Sequence, residues 1–319
     1  EFGGPEKLVV EDIPSPVPGE GEVRLRVHAC GVNFGDTLII QGTYQVKPPL
    51  PFSPGMECAG EIIEVGAGVS GYKAGDRVLA MTGHGGFAQE VVVAAKLLIP
   101  LPDSMSFKHA AAFPVAYGTS HVGLDYRAQL KKGETLLVLG AAGGVGLTAV
   151  EIGKAMGARV IAGASSDERL KAVREHGADE VVNYATDNLK DRVLALTDGK
   201  GADVCFDPVG GKLFDSALSS LGWGGRFIHF GFVGGVPQVP ANRLLVKHRS
   251  ALGSSYRYFR RYKPDLVQRS MAELGEFHGQ GHLHPIISHR LPLEQGVDAL
   301  RLLTERRAFG KVVVDVAPE

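Results

Sequence analysis

The sequence lacks an apolar run long enough to cross a membrane. Such a helix needs about 20 mostly apolar residues, and the longest runs here have the length of a strand. Cysteine is scarce: Cys30, Cys58 and Cys205 are widely spaced and odd in number, which argues against a disulfide framework and for a reducing compartment. We therefore expect a cytoplasmic protein without a membrane partner. Because the sequence begins at Glu1 rather than at Met, a targeting segment ahead of it stays open.

An excess of charge of either sign is also absent. The 34 Lys and Arg residues nearly balance the 35 Asp and Glu residues, for a net charge of −1, so the overall charge gives no reason to expect nucleic acid or an anionic membrane as a partner. Apolar residues make up 44% and charged residues 22% of the 319 positions, which is ordinary for a globular enzyme. A chain of this length can form two domains, each with its own core.

From Leu8 to about Pro102 the sequence has a β-type pattern, in which short apolar segments are separated by Pro and Gly-Asp turns. The segments predicted as strands there are Val23–Val27, Glu61–Val65, Arg77–Ala80 and Gln89–Val93. After Tyr262 the pattern predicts two amphipathic helices and a closing strand, at Asp265–His278, Leu293–Arg306 and Lys311–Val316.

Between about Lys108 and Tyr256, strand patterns alternate with segments of helical length. The predicted strands are Leu136–Leu139, Arg159–Ala162, Glu180–Asn183, Asp203–Phe206 and Arg226–Phe230. Regular alternation predicts a doubly wound parallel sheet, because right-handed crossovers place helices on both of its faces. The predicted fold class is therefore α/β, with a second, β-rich domain.

The segment Leu136–Gly146 reads as a buried strand, a glycine-rich turn and the start of a helix. This succession is typical of dinucleotide binding, since glycines let the backbone approach a pyrophosphate and the helix offers its free N–H groups to the anion. Ala141 stands where the strict fingerprint has its first glycine, whereas Gly143 and Gly146 keep the other two. The turn residues predicted to bind the cofactor are Ala142, Gly143, Gly144 and Val145.

With these motifs in place, the chain resembles the zinc-independent, zeta-crystallin-like quinone oxidoreductases of the medium-chain dehydrogenase/reductase superfamily. The likeness covers essentially the whole chain and is carried by short motifs at 31–36, 41–44, 54–57, 140–146, 207–211 and 309–313. It implies a GroES-like β domain formed by 1–117 and 257–319, a Rossmann domain at 118–256 and a substrate cleft between them. The resemblance also implies a homodimer or homotetramer.

The predicted nicotinamide cofactor is NADPH. An NAD site usually ends its second strand with an acid, but here the strand ends in small residues, including Gly163 and Ser165, which leave room for a 2′-phosphate. The resemblance implies that Arg169 and Tyr184 hold that phosphate. The alternatives are a capping box formed by Ser165 and Glu168, an exposed helix arginine at Arg169 and a strand-capping role for Tyr184.

No metal site is predicted. By resemblance, Asn33 and Met56 stand where the zinc branch has Cys and His ligands, and only Glu57 remains; neither Asn nor Met supplies the thiolate or imidazole that zinc prefers. We interpret Cys30 and Cys58 as core residues, and four histidines as exposed or structural: His278, His282, His284 and His289. Without a Lewis acid, an acceptor that is already electron-poor is favoured, such as a quinone or an α,β-unsaturated carbonyl.

Three residues are predicted at the reacting centre. Asn33 could hydrogen-bond the substrate carbonyl or the nicotinamide ribose, or it could only cap a turn. Tyr44 could donate a proton to a forming enolate or a quinone oxygen, or form an aromatic wall. Asp36 more readily fixes the local hydrogen bonds than takes part in catalysis. By resemblance Thr119 contacts the nicotinamide, and the backbone of Phe230, Gly231 and Phe232 is expected near it, at the end of the fifth sheet strand.

The segment Tyr256–Lys263 is the one local basic cluster, and aromatic residues interleave with its cations. It could hold an anionic substrate tail such as a coenzyme A phosphate, bind nucleic acid, or form a solvated hinge; nucleic acid is the least favoured because no extended basic face accompanies the segment.

The leading function is NADPH-dependent reduction of quinones. The alternatives are reduction of an enal, enone or enoyl-CoA, and a nucleotide- or RNA-binding or structural, crystallin-like role.

Overall fold

A computed structural model of the protein describes residues 1–317. The chain divides into two compact units, one formed by Glu1–Val115 together with the chain from Pro285 onward, and the other by Ala116–His284. We call them the β unit and the parallel-sheet unit. None of the helices in the described residues has the length and apolar character that a membrane crossing requires.

Thirteen strands and eleven α-helices make up the regular structure of the described residues. The strands are β1 Glu22–Val32, β2 Glu57–Val65, β3 Arg77–Ala80, β4 Glu90–Ala94, β5 Leu98–Pro100, β6 Thr135–Val138, β7 Arg159–Ala164, β8 Glu180–Asn183, β9 Ala202–Asp207, β10 Leu221–His229, β11 Ser250–Gly253, β12 Ile287–Pro292 and β13 Lys311–Asp315. The helices are α1 Phe34–Ile40, α2 Phe107–Ala111, α3 Pro114–Val122, α4 Gly144–Ala155, α5 Asp167–Glu175, α6 Leu189–Leu196, α7 Phe214–Ser220, α8 Ala241–Leu245, α9 Tyr256–Tyr262, α10 Pro264–Gly279 and α11 Gly296–Thr304.

The β unit is built on a seven-stranded sheet with the order β12-β13-β1-β2-β3-β5, in which β4 also pairs with β1. Alternate residues of β1, namely Val23, Leu25 and Val27, are completely buried, as expected for a strand with one face on a core. The final strand β13 pairs antiparallel with β1, with Val32 opposite Val312. Residues from the two ends of the chain therefore meet in the middle of one sheet.

The parallel-sheet unit contains six strands in the order β11-β10-β9-β6-β7-β8, and each strand runs parallel to its neighbours. Residues Leu136, Leu137 and Val138 of β6 are completely buried, which explains their uninterrupted apolar sequence. The strand order reverses between β6 and β9, and in such sheets ligands bind at the carboxyl ends of the strands where the order reverses. The predicted α/β fold class is confirmed.

The limits of the two units differ from the predicted limits at one end. The sequence places the second boundary after residue 256, whereas the structure assigns the chain as far as His284 to the parallel-sheet unit. Helix α10 belongs there because it packs on α3, where His121 Nδ1 lies 2.8 Å from Ser270 Oγ. The first boundary differs by only two residues.

Candidate functional site

The β unit contains a buried polar cluster formed by Asn33, Asp36, Glu57 and Lys311. Asn33 follows the last residue of β1 and is the N-cap of α1, Glu57 is the first residue of β2, and Lys311 is the first residue of β13. Because β1 pairs with both β2 and β13, the sheet register brings the three strand ends together. The cluster thus occupies the region where, by resemblance, the zinc branch holds its metal.

The ammonium of Lys311 is held by three oxygens. Its Nζ donates to Glu57 Oε1 at 2.8 Å, to Asn33 Oδ1 at 2.7 Å and to the carbonyl of Val32 at 3.0 Å. Both charged side chains are almost fully buried, at 5% exposure for Lys311 and 0% for Glu57. The other carboxylate oxygen of Glu57 accepts the backbone N–H of Val115 at 2.8 Å. The buried charges are therefore paired and hydrogen-bonded, as burial requires.

These contacts fix the orientation of the Asn33 side-chain amide. Its Oδ1 accepts from Lys311, and its Nδ2 donates to Glu57 Oε1 at 2.8 Å and to the carbonyl of Gly31 at 3.3 Å. An amide nitrogen has two hydrogens and an amide oxygen has two lone pairs. Both donors are in use, whereas one acceptor position on Oδ1 remains. Asn33 can consequently accept a hydroxyl hydrogen, but it has no hydrogen left for a substrate carbonyl.

Asp36 is a fully buried carboxyl that binds backbone amides. Its Oδ2 accepts the N–H of Asn33 at 2.8 Å and its Oδ1 accepts the N–H of Gly55 at 3.0 Å. Burial raises the pKa of Asp36 to about 7, although the two N–H groups and Lys311 oppose the rise. These bonds join the start of α1 to the loop before β2, which gives the carboxyl a structural role.

Tyr44 follows α1 and lies half-buried against the core of the β unit. Its ring and Met56 both lie against Gly35, where a methyl group would come within 3.0 Å of the Met56 sulfur.

Within residues 1–317 no group of three or more His, Cys, Asp or Glu side chains is arranged to hold a metal ion. Cys30 and Cys58 face each other across β1 and β2, and burial raises the pKa of the Cys58 thiol to about 12, so these thiols are poor metal ligands.

In the parallel-sheet unit, the glycine-rich turn joins β6 to α4. Gly140 has a positive φ of 56°, and Gly143 is the N-cap of α4. At Gly146 a methyl group would collide with the carbonyl of Gly140 and the Cα of Ala141, so only glycine permits this close approach of helix and strand. Residues 143–145 are partly exposed, while Ala142 is buried. The N–H groups of 144–146 precede the first closing bond of α4, from Leu147 to Gly143, as in an anion-binding helix terminus.

The tip of β7 carries one correction. The N-cap of α5 is Ser166, whose Oγ accepts the N–H of Arg169, so the alternative of a capping box begun by Ser165 is wrong by one residue. Ser165 instead lies exposed at the end of the strand. Asp167 is bound by Asn183 at 2.9 Å, and the ring of Tyr184 lies against Gly163. The strand tip therefore combines small residues, an exposed hydroxyl and a tyrosine.

Two close packing contacts lie near the residues of this unit that are predicted to contact the nicotinamide. One is on α3, and the other is on the turn that follows α3. The ring of Tyr256 lies on Gly118, next to the half-buried Thr119, and the ring of Phe230 lies on Gly123; a methyl group at either glycine would collide with these rings. Phe230 also stacks on Phe206, with ring centroids 4.0 Å apart. The structure thus brings Thr119 and the segment 230–232 to the same region of the parallel-sheet unit.

Sequence reasoning missed Glu151, and it missed the partner of Glu57. The partnership of Glu57 with Lys311 went unrecognised, although both residues belong to the motifs that carry the resemblance. Glu151 on α4 is 2% exposed and accepts the hydroxyl of Tyr117 at 2.6 Å and the backbone N–H of His284 at 3.3 Å. An acid on the buried face of a helix was the available signal, because such a residue needs partners.

Comparisons with known proteins agree with this architecture. Residues 19–103 match the alcohol dehydrogenase GroES-like domain family, and residues 144–271 match the zinc-binding dehydrogenase family. The chain is 42% identical over 320 residues to "Quinone oxidoreductase-like protein 2 homolog" of Nematostella vectensis, covering 99% of this chain and 87% of that protein.

Two solved structures are similar over almost the whole chain. Escherichia coli quinone oxidoreductase complexed with NADPH has a TM-score of 0.93 and 30% identity, covering 99% of this chain and 98% of that chain. CurK enoyl reductase has a TM-score of 0.90 and 27% identity, covering 99% and 97%. The predicted family is confirmed: the chain belongs to the zinc-independent quinone oxidoreductases of the medium-chain dehydrogenase/reductase superfamily.

Proposed function

We propose that this protein is an NADPH-dependent oxidoreductase that transfers hydride to a quinone without a metal ion. The observation that carries the proposal is the dinucleotide turn of the parallel-sheet unit, at the reversal point of its sheet. The β unit has the Lys311–Glu57–Asn33 cluster where, by resemblance, the zinc branch holds its metal. The similarity to a quinone oxidoreductase that binds NADPH supports it.

The chain fits NADPH at two places in the parallel-sheet unit. The N–H groups at 144–146 are suited to the pyrophosphate, since Gly143 carries no side chain and Gly146 lets α4 begin close to the end of β6. At the tip of β7, Gly163 and Ser165 leave space for the 2′-phosphate, and Arg169 and Tyr184 are the residues we assign to it. Asp167 is bound to Asn183 and does not occupy the place of an acid that would repel a phosphate.

When bound, NADPH supplies the hydride, and the protein's own groups orient the reactants and receive charge. Asn33 accepts a hydroxyl of the nicotinamide ribose, because its remaining hydrogen-bonding capacity is that of an acceptor. Thr119 and the backbone of 230–232 orient the nicotinamide, and Asp36 holds Asn33 through its backbone N–H. A quinone suits this arrangement because it is electron-poor without a Lewis acid.

A conjugated carbonyl such as an enal, enone or enoyl-CoA is the second candidate acceptor. Tyr44 favours it, since its half-buried ring lies against Gly35, which stands between Asn33 and Asp36 in the sequence, and its phenol could donate the proton that an enolate needs. The similarity to an enoyl reductase structure supports the same alternative.

The first experiment compares NADPH oxidation with a simple quinone, an alkenal and an enoyl-CoA, with NADH as the cofactor control. NADPH-dependent turnover that is fastest with the quinone is the expected result. Tyr44→Phe separates the candidates further, because a quinone reductase should keep most of its kcat, whereas an enoyl reductase should lose about a hundredfold or more with its proton donor. No turnover with any acceptor despite tight NADPH binding would contradict the proposal.

We also propose a homodimer or homotetramer in the cytoplasm. Three free, buried cysteines suit a reducing compartment. Trp223, Leu245 and Val246 are each more than 70% exposed, and large exposed apolar side chains of this kind favour an interface. Light scattering of the purified protein gives the assembly directly, and a monomer at micromolar concentration would rule this part out.

A further inference from the structure

The basic and aromatic segment forms helix α9, which has two different faces. Tyr256 is 6% exposed and lies on Gly118, and Phe259 packs edge-on against Tyr126 with ring centroids 5.6 Å apart. These residues anchor the helix to α3 and the turn that follows it. The helix is therefore a fixed part of the parallel-sheet unit, and the hinge interpretation of the segment does not describe it.

The opposite face consists of Arg257, Tyr258, Arg261 and Tyr262, which we call the α9 surface. Tyr258 and Tyr262 are 40% and 65% exposed, and their rings are nearly parallel, at 14° with centroids 6.2 Å apart. The guanidinium of Arg261 lies 5.4 Å from the ring of Tyr262. Residues four apart are neighbours on a helix, so a row of two tyrosines runs beside a row of two arginines.

Helix stability does not account for this surface. A cation in the last turn, such as Arg261, is favoured by the helix dipole, but Arg257 lies in the first turn, where an acid is preferred. Two like charges four residues apart also repel each other. The helix contains no acid, and neither Arg257 nor Arg261 forms an ion pair with any carboxylate of residues 1–317. An external anion that also offers a flat ring would complement both rows.

We propose that the α9 surface binds the phosphorylated adenosine end of a coenzyme A thioester, which makes 2-enoyl-CoA esters substrates of this protein. Arg257 and Arg261 bind the phosphates, since guanidinium groups are suited to paired hydrogen bonds with phosphate oxygens. Tyr258 and Tyr262 provide the stacking face for adenine, as aromatic side chains do for nucleotide bases.

The position of α9 suits this role. Its first residue, Tyr256, contacts Gly118, which precedes the nicotinamide-contacting Thr119 of the proposed function. The α9 surface is on the other side of the helix, but seven residues of α-helix span only about 10 Å, so the α9 surface lies within about a helix length and a helix diameter of Gly118. A thioester whose acyl group reaches Thr119 can therefore place its nucleotide on α9 through its flexible linker.

The reaction balances with the cofactor already proposed. Hydride from NADPH adds to Cβ of the enoyl group and a proton adds to Cα, so that the carbon–carbon double bond becomes single and NADP⁺ is released. The acceptor class rests on the proposed hydride site, but the binding of the nucleotide tail does not.

Binding is measured on the whole protein saturated with NADP⁺, so that the cofactor site is filled. Calorimetric titration with butyryl-CoA, which cannot be reduced, is compared with butyryl-pantetheine, which lacks the nucleotide. We expect butyryl-CoA to bind at least tenfold more tightly than butyryl-pantetheine. Arg257→Gln combined with Arg261→Gln should weaken the binding of butyryl-CoA by about tenfold or more, because charge-assisted bonds to phosphate are lost. Tyr262→Leu should weaken the binding of butyryl-CoA several-fold, because the stacking face for adenine is lost.

The matched control is Lys190→Gln with Arg192→Gln, which removes two exposed cations from α6 of the same unit; it should leave both affinities unchanged. Equal affinities for the two esters, or an α9 variant that behaves like the control, would overturn the proposal. Tighter binding of single-stranded RNA or of anionic vesicles, lost in the same variant, would overturn it in favour of that ligand. Tail binding without enoyl-CoA turnover, while quinone is reduced, would remove the substrate claim and leave the proposed function intact.

Discussion

The two units treat polar groups in opposite ways. In the β unit, Lys311, Glu57 and Asn33 satisfy one another in a buried cluster, and only one acceptor position on Asn33 remains. In the parallel-sheet unit, the turn before α4 is partly exposed, and the N–H groups at 144–146 precede the helix's own hydrogen bonds. One region completes its hydrogen bonds internally, whereas the other leaves them for a ligand.

This difference has a physical reason. A buried charge without a partner destabilises a fold by several kcal/mol, so a cluster that must keep its shape without a metal ion needs its own cation. An anion-binding turn needs the reverse, because donors already in use cannot bind a phosphate. Substitutions in the β unit should consequently change stability first, and substitutions in the turn should change ligand affinity as well.

The largest effect is expected for Lys311→Met, which removes the ammonium and leaves Glu57 buried without a cation. Loss of one partner of a buried ion pair destabilises a protein by about 3–5 kcal/mol. Urea unfolding measures this change in the free energy of unfolding. The double variant Lys311→Met with Glu57→Gln should recover a large part of the loss, since no unpaired charge remains; a double variant no more stable than the single one would contradict the assignment of the pair.

Gly146→Ala should have a smaller effect on stability and should also lower the affinity for NADPH. The new methyl group would collide with Gly140 and Ala141, which should destabilise the unit by about 1–3 kcal/mol. The shifted turn should also weaken the binding of NADPH by about tenfold or more, because hydrogen bonds from backbone N–H groups to the pyrophosphate are lost. A fluorescence titration measures the affinity. The control is Gly275→Ala in α10. An added methyl group there would meet no atom within 4 Å beyond the helix's own backbone, so the substitution should leave the NADPH affinity unchanged and stabilise the helix slightly.

The sequence predicted the parallel-sheet unit better than the β unit, because the turn's signal is local. Strand, glycines and helix occupy consecutive positions at 136–146, so the motif specifies its own geometry. The Glu57–Lys311 pair, by contrast, joins residues 254 positions apart, and neither residue reveals its partner locally. The same limit applies to α10, which a boundary drawn from the sequence pattern assigns to the other domain. Its packing on His121 is a tertiary contact that periodicity cannot show.

The cofactor preference of the parallel-sheet unit is tested by Arg169→Gln. Removal of a guanidinium that binds the 2′-phosphate should raise the KM for NADPH about tenfold and leave the KM for NADH nearly unchanged. Steady-state kinetics with both cofactors measures the ratio. Arg174→Gln is the matched control, since Arg174 is an exposed arginine at the other end of α5. An unchanged KM for NADPH in Arg169→Gln would mean that Arg169 is only a surface residue of the helix.

The last effect develops gradually with pH and concerns the buried cluster. Burial raises the pKa of Asp36 to about 7 in the folded protein, above its ordinary value near 4 in an unfolded chain. Between these values the folded state holds the proton more firmly, so Asp36 stabilises the fold fully at acidic pH and this contribution is lost as the pH rises through about 7.

Asp36→Asn removes that titration. The stability of the native protein relative to Asp36→Asn should therefore fall by about 1 kcal/mol per pH unit between pH 5 and 7 and level off above it. Urea unfolding of both proteins at several pH values gives the difference, in which all other titrations cancel, and so does any constant loss from replacing a carboxyl that accepts two N–H groups. Parallel curves would mean that Asp36 stays ionised throughout, held by the N–H groups and Lys311. In that case the buried cluster would contain two carboxylates for one ammonium.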